Sequence, residues 1–279
     1  MGEERFAVRV GDGELVGHRA RAGRPALLLH GGPAFSDYTE GLADELNGIF
    51  ATIRYTQRGT PPSTLGPPYT IETHMRDALT LLDHFGLDRA WVVGHSWGAH
   101  LALHLAVAHP QRVAGLICVS PLGARGDVFE EFDRNLRHGL TPQQVAFVDG
   151  FEARRREGTA TLPDALKRWR LLWPNYFAHP EGAPPALDLA IGGDCSRETN
   201  ASIADHFAAG TLEHGLATVR LPALVMHGDL DPLPLRSAAE TAALIQDAVL
   251  ETIHDCGHWP WLEQPGAVRA AIERFLATR

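Results

Sequence analysis

Two periods of hydrophobicity run along this chain and mark two kinds of segment. Short aliphatic runs, typical of strands buried on both faces, are separated by windows in which apolar residues recur at helical spacing. These patterns predict strands over 5–10, 14–19, 26–30, 50–55, 113–120, 223–227 and 249–253, and helices over 36–47, 71–85, 237–245 and 267–277. Because strands alternate with helices of this length, we predict an α/β fold: a mostly parallel central sheet with helices on both faces.

Turn and capping residues refine this pattern. Gly11-Asp12-Gly13 lies between the first two strands and predicts a β-hairpin. Ser36 or Asp37 is expected to cap the first helix, and Thr70 is expected to begin the second.

The pattern changes between residues 121 and 216, where no aliphatic strand run occurs. Amphipathic windows broken by Gly and Pro predict helices over 127–138, 142–157, 163–172 and 199–209. We therefore predict two units. Residues 1–120 and 217–279 form the core domain, and residues 121–216 form a helical lid inserted into it.

A serine between two glycines lies in the apolar stretch 90–108, which joins a predicted strand to a predicted helix. Gly94-His95-Ser96-Trp97-Gly98 has the spacing G-x-S-x-G. The glycines let strand and helix approach closely, which strains the serine backbone and places its hydroxyl at a helix N-terminus, where negative charge is favoured. We predict that Ser96 is a nucleophile. The alternative is a loose pattern in which the serine is only a helix N-cap.

A serine nucleophile needs a base that takes its proton and a carboxylate that orients the base. The ends of two later strands offer these groups. Asp229 and Asp231 follow the strand over 223–227, and His258 follows the strand over 249–253. We predict His258 as the base and one of the two aspartates as the acid.

The oxyanion of a tetrahedral intermediate needs preorganised N–H donors. One donor is expected from Trp97, the residue after the nucleophile, and the other from the loop after the third strand. That loop is His30-Gly31-Gly32-Pro33, where glycine lets the backbone come close to a substrate. Gly32 is the predicted second donor, and Gly31 is the neighbour that could replace it.

Composition and charge narrow the classes of partner. The 279 residues carry a formal net charge of −9, which argues against nucleic acid and against an anionic membrane surface. We interpret the Arg154-Arg155-Arg156 cluster as a solvated helix face. The chain has no stretch of about 18 apolar residues and no signal-peptide pattern, so a cytoplasmic protein is expected. Its three cysteines are scattered, so no disulfides are expected.

No metal site and no cofactor are predicted. The chain contains neither a Cys-x-x-Cys nor a His-Glu-x-x-His motif. His100 and His104 have the i, i+4 spacing of a helical metal site, but no carboxylate or cysteine lies at motif spacing beside them. We therefore expect them on the flank of their helix.

Taken together, these motifs resemble the α/β-hydrolase superfamily over essentially the whole chain. The family pattern G-x-x-D begins here at Gly228, so the resemblance implies Asp231 rather than Asp229 as the acid. Within the superfamily, the His30–Pro33 loop, Gln57-Arg58-Gly59 and the serine motif are similar to the proline iminopeptidase group, serine peptidases that release N-terminal residues.

Two positions depart from that group, which has aspartate and glycine where this chain has Thr56 and Pro61. The resemblance implies that lid carboxylates bind the free amino group of a substrate. Glu198 is the first candidate, followed by Asp194 and Asp205, and each of them could instead be solvated or capping. Aromatic lid residues are expected either to shape an apolar substrate pocket or to form the lid core: Trp169, Trp173, Tyr176 and Phe177.

We therefore expect a serine hydrolase that cleaves an amide or ester bond of a small molecule or short peptide through an acyl-enzyme. An esterase or lactonase acting on small apolar esters is the alternative within the enzyme class, and a receptor-like protein that captures a small molecule is the alternative outside it. Serine at the motif argues against epoxide hydrolase and haloalkane dehalogenase chemistry, whereas hydroxynitrile lyases and carbon–carbon bond hydrolases keep the serine.

Overall fold

The computed structural model describes residues 3–279, and within that range one eight-stranded sheet runs through the molecule. Its strands are β1 (Glu4–Val10), β2 (Gly13–Arg19), β3 (Arg24–Leu29), β4 (Phe50–Tyr55), β5 (Ala90–His95), β6 (Val113–Val119), β7 (Ala223–Gly228) and β8 (Ala248–Ile253). The α-helices are α1 (Glu40–Leu46), α2 (Ile71–His84), α3 (Trp97–Ala108), α4 (Phe129–Leu136), α5 (Pro142–Glu157), α6 (Leu162–Leu172), α7 (Gly193–Ala208), α8 (Thr211–Gly215), α9 (Arg236–Leu244), α10 (Pro260–Glu263) and α11 (Ala267–Leu276).

The sheet order is β1-β2-β4-β3-β5-β6-β7-β8. β1 and β2 form the predicted antiparallel hairpin, and β2 pairs antiparallel with β4. Every other neighbouring pair is parallel. The prediction of an α/β fold with a mostly parallel sheet is therefore confirmed.

Helices cover both faces of the sheet. Successive residues of a strand point to opposite faces, so each buried strand contributes side chains to two apolar layers. On β5, Val92 packs into an apolar cluster that includes Leu101 of α3 and buried residues of α2 and α9. Val93 packs into a second cluster, which includes Leu42 of α1 and Ile272 of α11. Burial of these two clusters is the main favourable term that holds the layers together.

Residues 120–222, called the inserted segment below, connect β6 to β7 and contain α4 to α8. Two backbone hydrogen bonds tie this segment to the loop after β3. Ser36 donates to the carbonyl of Ala190 at 2.9 Å, and Gly192 donates to the carbonyl of Ala34 at 2.9 Å. Within residues 3–279, no helix is both long enough and apolar enough to span a bilayer.

The start of α1 differs from the prediction. The helix begins at Glu40, because Ser36 is engaged with Ala190 and the carboxylate of Asp37 accepts hydrogen bonds from Thr39 and Arg54 instead of capping the helix. By contrast, the prediction for Thr70 is confirmed, because its side chain accepts a hydrogen bond from the backbone of α2. Contacts with residues distant in sequence therefore decide the first boundary, and local capping decides the second.

Candidate active site

Ser96 occupies the sharp turn between β5 and α3. Its backbone has φ 55° and ψ −119°, a conformation that costs a residue with a side chain about 1–3 kcal/mol. A Cβ atom added to Gly98 would overlap the backbone carbonyls of Leu29 and His30, and one added to Gly94 would overlap the backbone of Gly98. The two glycines therefore allow the close crossing of strand and helix that sets the serine on the turn.

His258 follows β8 and lies against a buried carboxylate. Its Nδ1 is 2.8 Å from Oδ2 of Asp231, and the N–H of Leu233 donates to the other carboxylate oxygen at 2.8 Å. Burial alone raises the pKa of Asp231, but the charges of His258 and His227 and these hydrogen bonds hold it below its ordinary value. An ionised Asp231 keeps a proton on Nδ1 of His258, which leaves Nε2 as the nitrogen able to accept one.

Asp229, the other predicted candidate for the acid, lies in a different environment. Its Oδ2 is 2.9 Å from Nδ1 of His254, whose side chain is 86% exposed. The structure thus brings Asp231 to His258 and pairs Asp229 with a surface histidine.

Ser96 and His258 line the same cavity, which has a volume of about 320 Å³. Among the residues described, the His258 ring hydrogen-bonds to Asp231 and not to Ser96. Catalytic hydrogen bonds of this kind often shorten only in the complex with substrate. The cavity volume falls in the range of small-molecule binding sites.

A hydrogen-bond chain through Tyr38 connects the loop after β3 to His258. The hydroxyl oxygen of Tyr38 accepts from the N–H of Gly31 at 2.7 Å and lies 2.7 Å from Nδ1 of His95. Nε2 of His95 in turn donates to the backbone carbonyl of His258 at 2.8 Å. Burial raises the pKa of Tyr38 and lowers that of His95, so a neutral phenol donates to a neutral imidazole. No sequence motif marks Tyr38, so the sequence did not predict its role.

A second chain of hydrogen bonds runs through Gln57. Its backbone N–H donates to Nε2 of His30 at 3.0 Å, and its amide nitrogen donates to the carbonyl of His30 at 2.8 Å. Its amide oxygen accepts from Nε1 of Trp97 at 2.8 Å. Gln57 therefore fixes the loop after β3 relative to the turn that carries Ser96.

The two predicted oxyanion donors belong to the serine turn and to the loop after β3. Trp97 is the first residue of α3, at the N-terminus of that helix, and Gly32 lines the cavity beside Ser96. The N–H of Gly31 is already engaged by Tyr38. The sequence named Gly32 as the second donor and Gly31 as the possible replacement. Of these two glycines, only Gly32 lines the cavity.

Most of the remaining cavity wall comes from the inserted segment and is apolar. Trp169 and Tyr176 are part of it, and they are two of the four lid aromatics for which the sequence left both a pocket role and a lid-core role open. The other large apolar side chains of the wall are Phe35, Leu122, Phe129, Phe132, Leu136, Phe151, Ile191 and Trp259.

Three predicted substrate contacts need correction. Trp173 and Phe177 are buried behind the wall, where their rings pack together and Trp173 Nε1 donates to the carbonyl of Pro184 at 2.6 Å. Glu198 lies outside the cavity and 3.5 Å from a guanidinium nitrogen of Arg197. The reason is helical geometry: Ser196 and Asn200 of α7 face the cavity, and Glu198 lies about 200° around the axis from Ser196.

The cavity wall also carries a charged group that no sequence motif indicated. Glu152 of α5 lies 2.8 Å from Nε of Arg155 and 2.7 Å from Nε of Arg168, and all three residues line the cavity. Burial disfavours the carboxylate, but the two guanidinium groups hold the pKa of Glu152 below its ordinary value. Arg155 therefore does not belong to a solvated helix face, because it lies one turn after Phe151 on the face of α5 that meets the cavity.

His100 and His104, which were predicted on the flank of their helix, are buried against the inserted segment. Nδ1 of His100 donates to the carbonyl of Gly123 at 2.9 Å, and its Nε2 is 3.3 Å from Nε2 of His104. Burial lowers the pKa of His100 to about 4 and that of His104 to about 2. In the part of the chain that the structure describes, no group of three or more His, Cys, Asp or Glu side chains is arranged to hold a metal ion.

This fold, with a serine on a strained strand-to-helix turn and a histidine–aspartate pair at the same sheet edge, defines a class of hydrolases. The chain belongs to the alpha/beta hydrolase family, which matches residues 26–271. Its relatives are hydrolases too, and the chain is a hydrolase of this class.

Two curated relatives span nearly the full chain. A putative carbamate hydrolase RutD from Caulobacter sp. (strain K31) is 36% identical, over 89% of this chain and 94% of the relative. A proline iminopeptidase from Lactobacillus crispatus (strain ST1) is 25% identical, over 94% of this chain and 92% of the relative. Among solved structures, an esterase from Exiguobacterium antarcticum has a TM-score of 0.69 at 19% identity and covers 99% of this chain and 100% of its own, which shows a shared fold.

Proposed function

We propose that this protein is a serine hydrolase that cleaves a carboxylic ester or amide of a small molecule through an acyl-enzyme. The proposal assigns Ser96 as nucleophile, His258 as general base and Asp231 as the carboxylate that orients it. The 2.8 Å contact between His258 Nδ1 and Asp231 Oδ2, beside the same cavity as Ser96, is the observation that carries it.

In the proposed reaction, Oγ of Ser96 attacks the substrate carbonyl while Nε2 of His258 takes the hydroxyl proton. The N–H groups of Trp97 and Gly32 stabilise the resulting oxyanion, each contributing about 3 kcal/mol to lowering the barrier. The intermediate then collapses, and His258 gives its proton to the departing alcohol or amine. Water, deprotonated by His258, finally releases the acid and restores the serine.

The inserted segment acts as the lid in this proposal. Its apolar residues, Trp169 and Tyr176 among them, exclude water from the acyl-enzyme and favour an apolar substrate portion. The backbone contacts of Ala190 and Gly192 with the loop after β3 support a lid that is fixed next to the oxyanion donors.

Proline iminopeptidase activity is the second candidate, and the similarity to that group over 94% of the chain favours it. Binding of a substrate amine needs a carboxylate that is free to pair with it. The carboxylates on the cavity wall are Asp133 and Glu152, and both are already paired with arginine. We therefore expect ester substrates to be preferred.

The test is a substrate comparison between 4-nitrophenyl butyrate and proline 4-nitroanilide. We expect turnover of the ester, and loss of that turnover by at least about 1,000-fold in Ser96→Ala and His258→Ala. Hydrolysis of the proline anilide with a higher kcat/KM than the ester would favour the peptidase instead. Ester turnover that persists in Ser96→Ala would contradict the proposed nucleophile.

A further inference from the structure

The part of the cavity wall around Glu152 carries more hydrogen-bond donors than that carboxylate accepts. Arg155 and Arg168 each face Glu152 through Nε. Among residues 3–279, the Nη1 and Nη2 groups of these two arginines have no hydrogen-bond acceptor. Both residues line the cavity, and both side chains are about three-quarters buried, at 26% and 27% exposure, so these donors are partly removed from water.

Glu152 holds the two guanidinium groups in place through their Nε atoms, so that their Nη groups can still donate hydrogen bonds to a ligand. One of its oxygens faces each arginine, so the two cations are fixed next to each other across a single carboxylate. Arg168 also lies over the ring of Phe151, 5.6 Å from its centroid. Two preorganised guanidinium groups form strong, directional hydrogen bonds with a planar carboxylate.

The other carboxylate of the wall is not free to pair with a cation. Asp133 is 2.7 Å from Nε of Arg137. The wall also contains aromatic side chains, among them Trp169 and Tyr176, and the ring centroid of Tyr176 lies 5.3 Å from that of His258. The lining of the cavity therefore combines Ser96, apolar and aromatic side chains and a pair of arginines.

We propose that Arg155 and Arg168 bind a carboxylate at the end of the substrate distant from the scissile bond, so that the substrates are anionic esters or amides with a short apolar spacer. The proposal rests on the proposed serine hydrolase function and specifies its substrate class. It also assigns a specificity-determining role to Arg155 and Arg168, with Glu152 as the residue that positions them.

The test compares two esters that differ only at the distal end: mono-4-nitrophenyl glutarate, which ends in a carboxylate, and 4-nitrophenyl glutaramate, which ends in the matching neutral amide. A second pair, 4-butyryloxybenzoate and 4-butyryloxybenzamide, carries the same difference on the leaving group. The measured quantity is the ratio of kcat/KM for the anionic ester to that for the neutral ester in each pair. We expect a ratio of about 10 or more in one pair for the wild-type protein.

Three variants separate recognition of the carboxylate from a structural effect. Arg155→Gln and Arg168→Gln should each bring the ratio back towards about 1, because a charge-assisted hydrogen bond to the substrate carboxylate is lost. Glu152→Gln should raise the ratio, because the glutamine keeps a side chain of the same shape between the two arginines and removes the negative charge that repels the substrate carboxylate. A damaged fold does not produce such a gain. Arg156→Gln is the matched control on the exposed side of α5 and should leave the ratio unchanged.

Failure of this inference is distinguishable from failure of the proposed function. Turnover of the neutral esters that depends on Ser96, with ratios unaffected by Arg155→Gln, Arg168→Gln and Glu152→Gln, would overturn the inference alone. If neither pair is hydrolysed, equilibrium dialysis of the same esters with Ser96→Ala measures their binding directly. Tighter binding of the anionic ester, if it is lost when Arg155→Gln is added, supports the inference. Equal binding of the anionic and neutral esters overturns it.

Discussion

The hydroxyl of Tyr38 is predicted to hold the active site together, and Tyr38→Phe removes that hydroxyl alone. The ring keeps its packing against Trp259, with centroids 4.7 Å apart. Two groups lose their partner: the N–H of Gly31 and Nδ1 of His95, an imidazole with 0% exposure. The perturbation therefore tests the hydrogen-bond chain with little change in shape.

The expected loss follows from the two orphaned groups. A buried polar group without a partner costs about 1–3 kcal/mol, so two such groups predict a loss of about 2–6 kcal/mol in the free energy of unfolding. For a chain of this size that corresponds to a fall of roughly 4 to 24 °C in Tm. Activity should fall as well, by about 10- to 100-fold in kcat/KM, because Gly31 borders the oxyanion donor and His95 supports the backbone of His258.

Thermal unfolding and ester hydrolysis measure the two effects, and Tyr55→Phe is the matched control. The hydroxyl of Tyr55 is buried without a hydrogen-bond partner in the described part of the chain, so its removal should leave stability equal or slightly higher. If Tyr38→Phe matched Tyr55→Phe in both Tm and kcat/KM, the inferred role of the chain through His95 would be wrong.

Three further outcomes concern Asp231, the Arg58–Asp77 pair and Gly98. Because the pKa of Asp231 is depressed in the folded protein, its stabilising contribution is present above the ordinary value of 3.8 and is lost as the pH falls below it. The unfolding free-energy difference between wild type and Asp231→Asn, measured in urea, should therefore shrink below that pH. Asp77→Asn should lower the free energy of unfolding by about 3–5 kcal/mol, because it breaks a buried bidentate pair with Arg58 at 2.6 Å. Adding Arg58→Met to this variant should restore part of the loss in the same urea measurement. Gly98→Ala should lower the free energy of unfolding by about 3 kcal/mol or prevent folding. Gly66→Ala is the control and should do neither, because a Cβ added there meets nothing within 4 Å. Circular dichroism distinguishes these results.

The parts of the site that follow strand ends could be predicted from the sequence, because the carboxyl ends of parallel strands share one edge of a sheet. Ser96 follows β5 directly, and Asp231 and His258 lie in the loops after β7 and β8. The apolar runs that mark these strands also fix where each loop begins. Position along the chain was therefore enough to select Ser96 and His258, whereas Asp231 was selected over Asp229 only through the resemblance to the family pattern G-x-x-D. The catalytic roles of the three residues are our proposal.

The inserted segment could not be predicted to the same depth, since a helical period groups residues on a face without showing which face meets the core. Glu198 and Ser196 illustrate this point on α7, where only Ser196 faces the cavity. Arg155 illustrates the converse, because an arginine cluster has the same pattern whether it faces water or a cavity. Tyr38 depends on partners at Gly31 and on β5, and no local pattern indicates such a contact.

The most direct test of the central claim is covalent labelling with a fluorophosphonate, read by mass spectrometry of the intact protein and of its peptides. We expect a single phosphonyl group on the peptide that contains Ser96, no adduct in Ser96→Ala, and labelling at least about 100-fold slower in His258→Ala, where the base is missing. An adduct on a different residue, or equal labelling rates in the wild type and His258→Ala, would contradict the proposed chemistry.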